Sequence, residues 1–164
     1  MASAIMGPSG SGKTTLLNVL AGQTKASPKL NLSGLLDING VPFTNKIYKS
    51  VVLIHKLVMQ KFVELVFGEK KRMSLACELI ASPSVVFADE PATGLDAFQA
   101  EQVMETLRYL AQDRHTVICS IHHSRGSVYA KFDDVVLLAG GSLINAGPAN
   151  DEVQAYFSKF GFVI

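Results

Sequence analysis

The sequence contains no tryptophan, and aromatic residues make up only 8% of it. A stacking platform for nucleic acid is therefore poorly supported. Charge offers no basic face either, because 15 Lys and Arg against 14 Asp and Glu leave a formal net charge of +1. Only two cysteines are present, Cys77 and Cys119, far apart and in no shared motif, which fits buried free thiols and a reducing compartment. No run approaches the length of about 18 apolar residues needed for a transmembrane helix, so any membrane role is expected to come through a partner. The opening Met1-Ala2-Ser3-Ala4-Ile5-Met6 lacks the length and charged flank of a signal peptide. Repeats and low-complexity tracts are absent as well.

What is present suits one domain with an aliphatic core: 164 residues, 48% hydrophobic, mean hydropathy +0.27. Ala4-Ile5-Met6 reads as a short strand, Thr14 to Ala21 as a helix stopped by Gly22, and Leu35 to Ile38 as a strand ending in an Asn39-Gly40 turn. Val51 to Ile54, Val85 to Ala88, Thr116 to Ser120 and Val135 to Leu138 are continuous apolar runs of the kind found inside parallel sheets. Helices are predicted over 69–81, 98–112 and 151–159. The alternation predicts a doubly wound α/β domain, a mostly parallel sheet with helices on both faces.

Gly7-Pro8-Ser9-Gly10-Ser11-Gly12-Lys13-Thr14 matches G-x-x-x-x-G-K-[ST] in full. Average composition makes a chance match about 1 in 30,000 per position. The strand before it and the helix after it are the context this P-loop needs. Glycines let backbone N–H groups curl around phosphate oxygens, and the helix adds its positive end. Lys13 is expected to reach the β- and γ-phosphates of ATP, the Thr14 hydroxyl to bind Mg²⁺, and Thr15 to add a phosphate contact.

Val85-Val86-Phe87-Ala88-Asp89-Glu90-Pro91 is an apolar run ending in two carboxylates. At the carboxyl end of a strand, Asp89 is placed for the Mg²⁺ shell and Glu90 to polarise an attacking water. Asp96, in Gly94-Leu95-Asp96, is either a nucleotide contact or simply the cap of the next helix. His122, in Cys119-Ser120-Ile121-His122-His123, is placed to sense the γ-phosphate.

The P-loop, Arg72-Met73-Ser74-Leu75-Ala76-Cys77-Glu78-Leu79, Phe87-Ala88-Asp89-Glu90-Pro91, Thr93-Gly94-Leu95-Asp96 and Ser120-Ile121-His122 together resemble the ATPase domain of ABC transporters. The wording is nearest to the G subfamily (White/brown half-transporters), particularly its plant branch. That resemblance implies a RecA-like P-loop fold, with Gly7 to Thr15 as Walker A, Asp89 as the Walker B metal residue and Glu90 as the catalytic base. It makes Asp96 part of the D-loop and His122 the switch histidine. It also implies a second ABC nucleotide-binding domain as partner, two ATP molecules sandwiched between the pair, a separate transmembrane domain, and a place at the cytosolic face of a membrane.

The chain departs from the family in places. Where the signature motif should read Ser-Gly-Gly-Glu or Ser-Gly-Gly-Gln, it reads Val66-Phe67-Gly68-Glu69. Loss of such a transition-state donor costs about 10²–10³ in rate. The stretch from Lys13 to Glu69 is short for the family, so the domain is expected to be incomplete between residues 47 and 66, with its helical subdomain largely missing. His55, or less well Gln60, stands where a strand-end Gln is expected. Strands that precede the P-loop in the family have no counterpart. The expected function is ATP binding and hydrolysis as the nucleotide-binding part of a transporter, with activity impaired in the isolated chain. The alternative is an ATP-binding, hydrolysis-deficient regulatory or heterodimeric subunit. A small P-loop kinase is disfavoured because no arginine cluster forms a lid. A GTPase is disfavoured because Asn45-Lys46-Ile47-Tyr48 lacks the Asp of a guanine reader.

Overall fold

The computed structural model describes residues 1–24, 31–38, 40–42, 51–54, 84–122 and 131–149. In chain order these form β1 (Ala2–Met6), α1 (Lys13–Leu20), β2 (Asp37–Ile38), β3 (Val41–Pro42), β4 (Val51–Ile54), β5 (Val85–Asp89), α2 (Ala97–Gln112), β6 (Thr116–Ile121), β7 (Asp134–Ala139) and β8 (Ser142–Pro148). Six strands make one sheet in the order β4-β5-β6-β1-β7-β8. The first five are mutually parallel, and only β8 runs antiparallel, against β7. The expected doubly wound α/β architecture is therefore present.

The strand alternation sorts the core into two layers. Ala2, Ala4 and Met6 of β1, Val86 and Ala88 of β5, and Val117, Cys119 and Ile121 of β6 pack with Val103, Met104 and Leu107 of α2. The intervening residues Ile5, Val85, Phe87 and Ile118 pack on the other face, with Leu17 and Ala21 at α1. A strand presents successive side chains to opposite faces, so apolar residues at every position are what a sheet covered on both sides requires. Cys119 lies wholly within the α2 layer, where burial pushes its thiol up to about 12. It is a free, buried thiol as expected; Cys77 lies outside the described residues.

Two of the sequence-based expectations need correction. The strand expected over Leu35 to Ile38 is only Asp37–Ile38, paired with Val41–Pro42 in a separate small hairpin. Leu35 is fully exposed and Val41 is 55% exposed, so this segment contributes nothing to the main sheet. The tight turn closes the strand on its own neighbour, and the local pairing replaces the long-range one. In addition, β8 was not anticipated. It follows β7 through the two-residue turn Gly140-Gly141 and is mostly exposed, so it lacks the apolar run that marked the other strands. The helices expected over 69–81 and 151–159 lie outside the described residues.

The far end of α2 is tied to the start of the sheet. Asp133 accepts hydrogen bonds from the backbone N–H of Ala2 at 2.8 Å and from Arg108 at 2.6 Å. The Ala2 N–H first, and then the Arg108 guanidinium, hold its carboxyl below the usual 3.8. The folded state thus favours the ionised form more than the unfolded chain does. Its contribution is complete above the ordinary carboxylate value and is lost as pH falls through the lowered one. Urea denaturation is expected to show that Asp133→Asn lowers stability at pH 7 and flattens the loss of stability on acidification below about pH 4. The pair with Arg108 is partly solvent-exposed, so the effect is small.

Candidate functional site

The loop after β1 turns sharply because its first glycine cannot be replaced. A Cβ on Gly7, which sits at φ 151°, would lie 2.1 Å from the carbonyl oxygen of Leu138 and 2.7 Å from Ser11 Oγ. The loop therefore runs flush against the end of β7. It enters α1 through Gly12, a left-handed residue at φ 96° with no side chain to cap the helix. The first N–H groups of α1 are thus left without a side-chain acceptor, as an anion site requires.

Inside the loop, Lys13 is 5% exposed, and its ammonium donates to the carbonyls of Gly7 at 2.8 Å and Pro8 at 3.0 Å. An ammonium has three donors, so a third remains for an anionic oxygen. Ser11 is buried, and its hydroxyl oxygen makes no hydrogen bond among the described residues. An orphaned buried hydroxyl inside a glycine-lined cradle fits a ligand rich in acceptor oxygens. Pro8, Ser9 and Gly10 form the exposed outer rim, and Thr14 and Thr15 are exposed on the first turn of α1.

The acidic side arrives from β5. Asp89 is the last residue of that strand and shares the facing of Val85 and Phe87, toward α1. There Asp89 Oδ1 accepts from Thr14 Oγ1 at 3.1 Å and from Ser120 Oγ at 2.5 Å. The two residues expected to hold Mg²⁺ are thus brought together from positions 75 apart in the chain. Two hard oxygens at a loop built for anions fit a hydrated divalent cation such as Mg²⁺.

Glu90 follows in a left-handed conformation, φ 46°. This costs a non-glycine residue about 1–2 kcal/mol, and its neighbours hold it there. Its N–H donates to Ser120 Oγ at 2.8 Å, its carbonyl accepts from the Thr93 N–H at 3.1 Å, and its Oε2 accepts from Thr93 Oγ1 at 3.2 Å. A backbone outlier held in this way is a feature of functional sites. Glu90 lines a cleft of about 570 Å³ together with Ser120, Asp96 and His122, the last lying directly after β6. Asp96 caps α2, its Oδ1 accepting from the Gln99 N–H at 2.8 Å, so the capping alternative accounts for one of its carboxylate oxygens. The residue that the sequence reading passed over is Ser120. A polar residue inside the apolar run Val117-Ile118-Cys119-Ser120-Ile121, two places before His122, was the available signal. Val66, Phe67, His55 and Gln60 lie outside the described residues.

Known proteins resemble this chain in sequence and in fold. The family model described as ABC transporter matches residues 2–66. ABC transporter G family member 7 of Arabidopsis thaliana is 52% identical over 210 residues, an alignment that takes in 98% of this chain and 29% of that protein. The chain belongs to the ABC transporter family. The broad substrate specificity ATP-binding cassette transporter ABCG2 of Bos taurus is 32% identical over 98% of this chain and 32% of its own length. This ABC chain thus resembles G-subfamily members and spans under a third of the length of these relatives. Both alignments are longer than the chain itself, so each relative carries several dozen residues that have no counterpart here. The fold matches that of cbiO1 from Clostridium perfringens, part of the ABC transporter complex cbiONQ, at a TM-score of 0.73 and 22% identity. That match covers 98% of this chain and 81% of the other.

The contact at Gly7 yields a direct test. Gly7→Ala must move the Leu138 carbonyl or open the loop, since no Cβ tolerates a neighbour at 2.1 Å. Thermal unfolding of Gly7→Ala is expected to show a loss of about 2 kcal/mol or more. Gly10→Ala, with nothing within 4 Å of its Cβ, is expected to lose about 1–2 kcal/mol from its left-handed backbone alone.

Proposed function

We propose that this chain binds Mg·ATP through the β1–α1 loop and serves as the nucleotide-binding part of an ABC-type membrane transporter. The observation that carries the reading is the meeting of Thr14 and Asp89 at 3.1 Å, beside a loop with uncapped N–H groups and an ammonium. Neither a plain glycine turn nor a lone helix cap accounts for a carboxylate held against the threonine of the loop.

The division of labour follows from the donors and acceptors. Backbone N–H groups of Gly10 to Thr15 and the Ser11 hydroxyl hold phosphate oxygens, and the Lys13 ammonium neutralises them. Thr14 and Asp89 would hold a hydrated magnesium ion, which would supply positive charge against the phosphate oxygens. Glu90 accepts the proton of the attacking water, and His122, across the same cleft, orients that water toward the γ-phosphate. Transport through separate membrane-spanning segments fits a chain related to whole transporters. No helix among the described residues is long and apolar enough to cross a membrane.

Val66-Phe67 at the signature position supports a second reading, in which the chain pairs with a different nucleotide-binding domain. In such a pair, the site made of this chain's Lys13, Asp89, Glu90 and His122 with the partner's signature hydrolyses ATP. The reciprocal site, using Val66 and Phe67, holds ATP without turnover.

Calorimetric titration tests the first reading. Lys13→Ala is expected to weaken Mg·ATP binding about ten- to hundredfold, from the loss of a charged hydrogen-bond donor worth about 1.5–3 kcal/mol. Unchanged affinity would contradict it. Adding the chain to a G-type relative discriminates the second reading: ATP turnover is expected to rise above that of the relative alone, and Glu90→Gln to abolish the rise.

A further inference from the structure

We infer that Ser120 is the positioning residue that couples the metal-holding carboxylate to the water-activating one. The inference rests on the nucleotide reading above and deepens it. Ser120 is completely buried in β6, directly opposite Asp89 in the parallel register of β5 and β6. Its single proton goes to Asp89 Oδ1 at 2.5 Å, and its oxygen accepts the N–H of Glu90 at 2.8 Å. One hydroxyl therefore contacts both residues of the Asp89-Glu90 pair.

The two contacts act differently. Toward Asp89, Ser120 and Thr14 both donate to Oδ1, leaving Oδ2 without a hydrogen-bond partner among the described residues. The carboxylate is thus locked in rotation with one oxygen available to a hydrated cation. Toward Glu90, the hydroxyl satisfies an N–H that the left-handed backbone aims into the sheet end. Without it, the turn that sets the Glu90 side chain loses one of its restraints. Burial alone does not call for a hydroxyl here, whereas the two hydrogen bonds need one.

The test reads metal coupling rather than turnover, with ATP as the probe in titration calorimetry, in EDTA and again in Mg²⁺. Ser120→Ala is expected to bind metal-free ATP within about twofold of the unchanged protein and Mg·ATP about three- to tenfold more weakly, the range of one hydrogen bond. Ser120→Thr, which keeps the hydroxyl, is expected to restore the Mg²⁺-dependent gain. In an Asp89→Asn background, Ser120→Ala is expected to add no further loss, because the serine acts through that carboxylate. If Ser120→Ala does not fold, as judged by circular dichroism, Ser120→Cys keeps the volume while weakening the donor and is expected to show the same selective loss. Equal weakening of metal-free and Mg·ATP binding, or none of either, overturns the role of Ser120 while leaving the nucleotide site standing. Failure of the unchanged protein to bind ATP in both buffers overturns the nucleotide reading and this inference with it.

Discussion

The parallel pairing of β5 with β6 and of β6 with β1 is the constraint on which the site depends. It brings the carboxyl ends of three strands to one edge, so the Gly7–Thr14 loop, the Asp89-Glu90 pair and His122 meet without any long-range side-chain matching. Strand alternation then decides which face each group serves. Asp89 and Ser120 share the α1 face, and α1 is the helix whose uncapped start carries Thr14. A one-residue slip in β5 would turn Asp89 toward α2 and put Ala88 opposite Ser120. The buried runs of Val, Ile, Ala and Phe on both faces hold the register, and so the hydrophobic core sets the chemistry at the strand ends.

The two helix starts show how the same physics is put to different uses. The start of α2 is satisfied by its own Asp96, and the chain there is closed to an anion along that carboxylate. The start of α1 has glycine in the corresponding place and a lysine folded over the loop carbonyls. An uncapped helix start favours an anion and a capped one does not, so of these two α1 is the better suited to hold one.

Much of this was legible in the sequence because it rests on local rules. The glycine spacing of residues 7–14, the apolar run into Asp89-Glu90 and the helix over Ala97–Gln112 are each set by nearby residues. The shared facing of Asp89 and Ser120 was in principle readable from strand alternation. Their pairing was not, because register between segments distant in sequence is fixed only by packing. Ser120 was overlooked for that reason. The edge strand β8 escaped because an exposed strand need not be apolar, although Gly140-Gly141 between two candidate strands was a turn signal. The segment from Leu35 was over-read because apolar residues in an isolated hairpin imitate those of a core strand.

The most direct measurement is a crystal structure of the chain with Mg²⁺ and a non-hydrolysable ATP analogue. The β-phosphate is expected among the N–H groups of Gly10 to Thr14, with the metal held beside Thr14 Oγ1 and Asp89, and Asp89 still hydrogen-bonded to Ser120. Nucleotide bound elsewhere, or a filled loop with Asp89 turned away from the metal, would contradict the assignment.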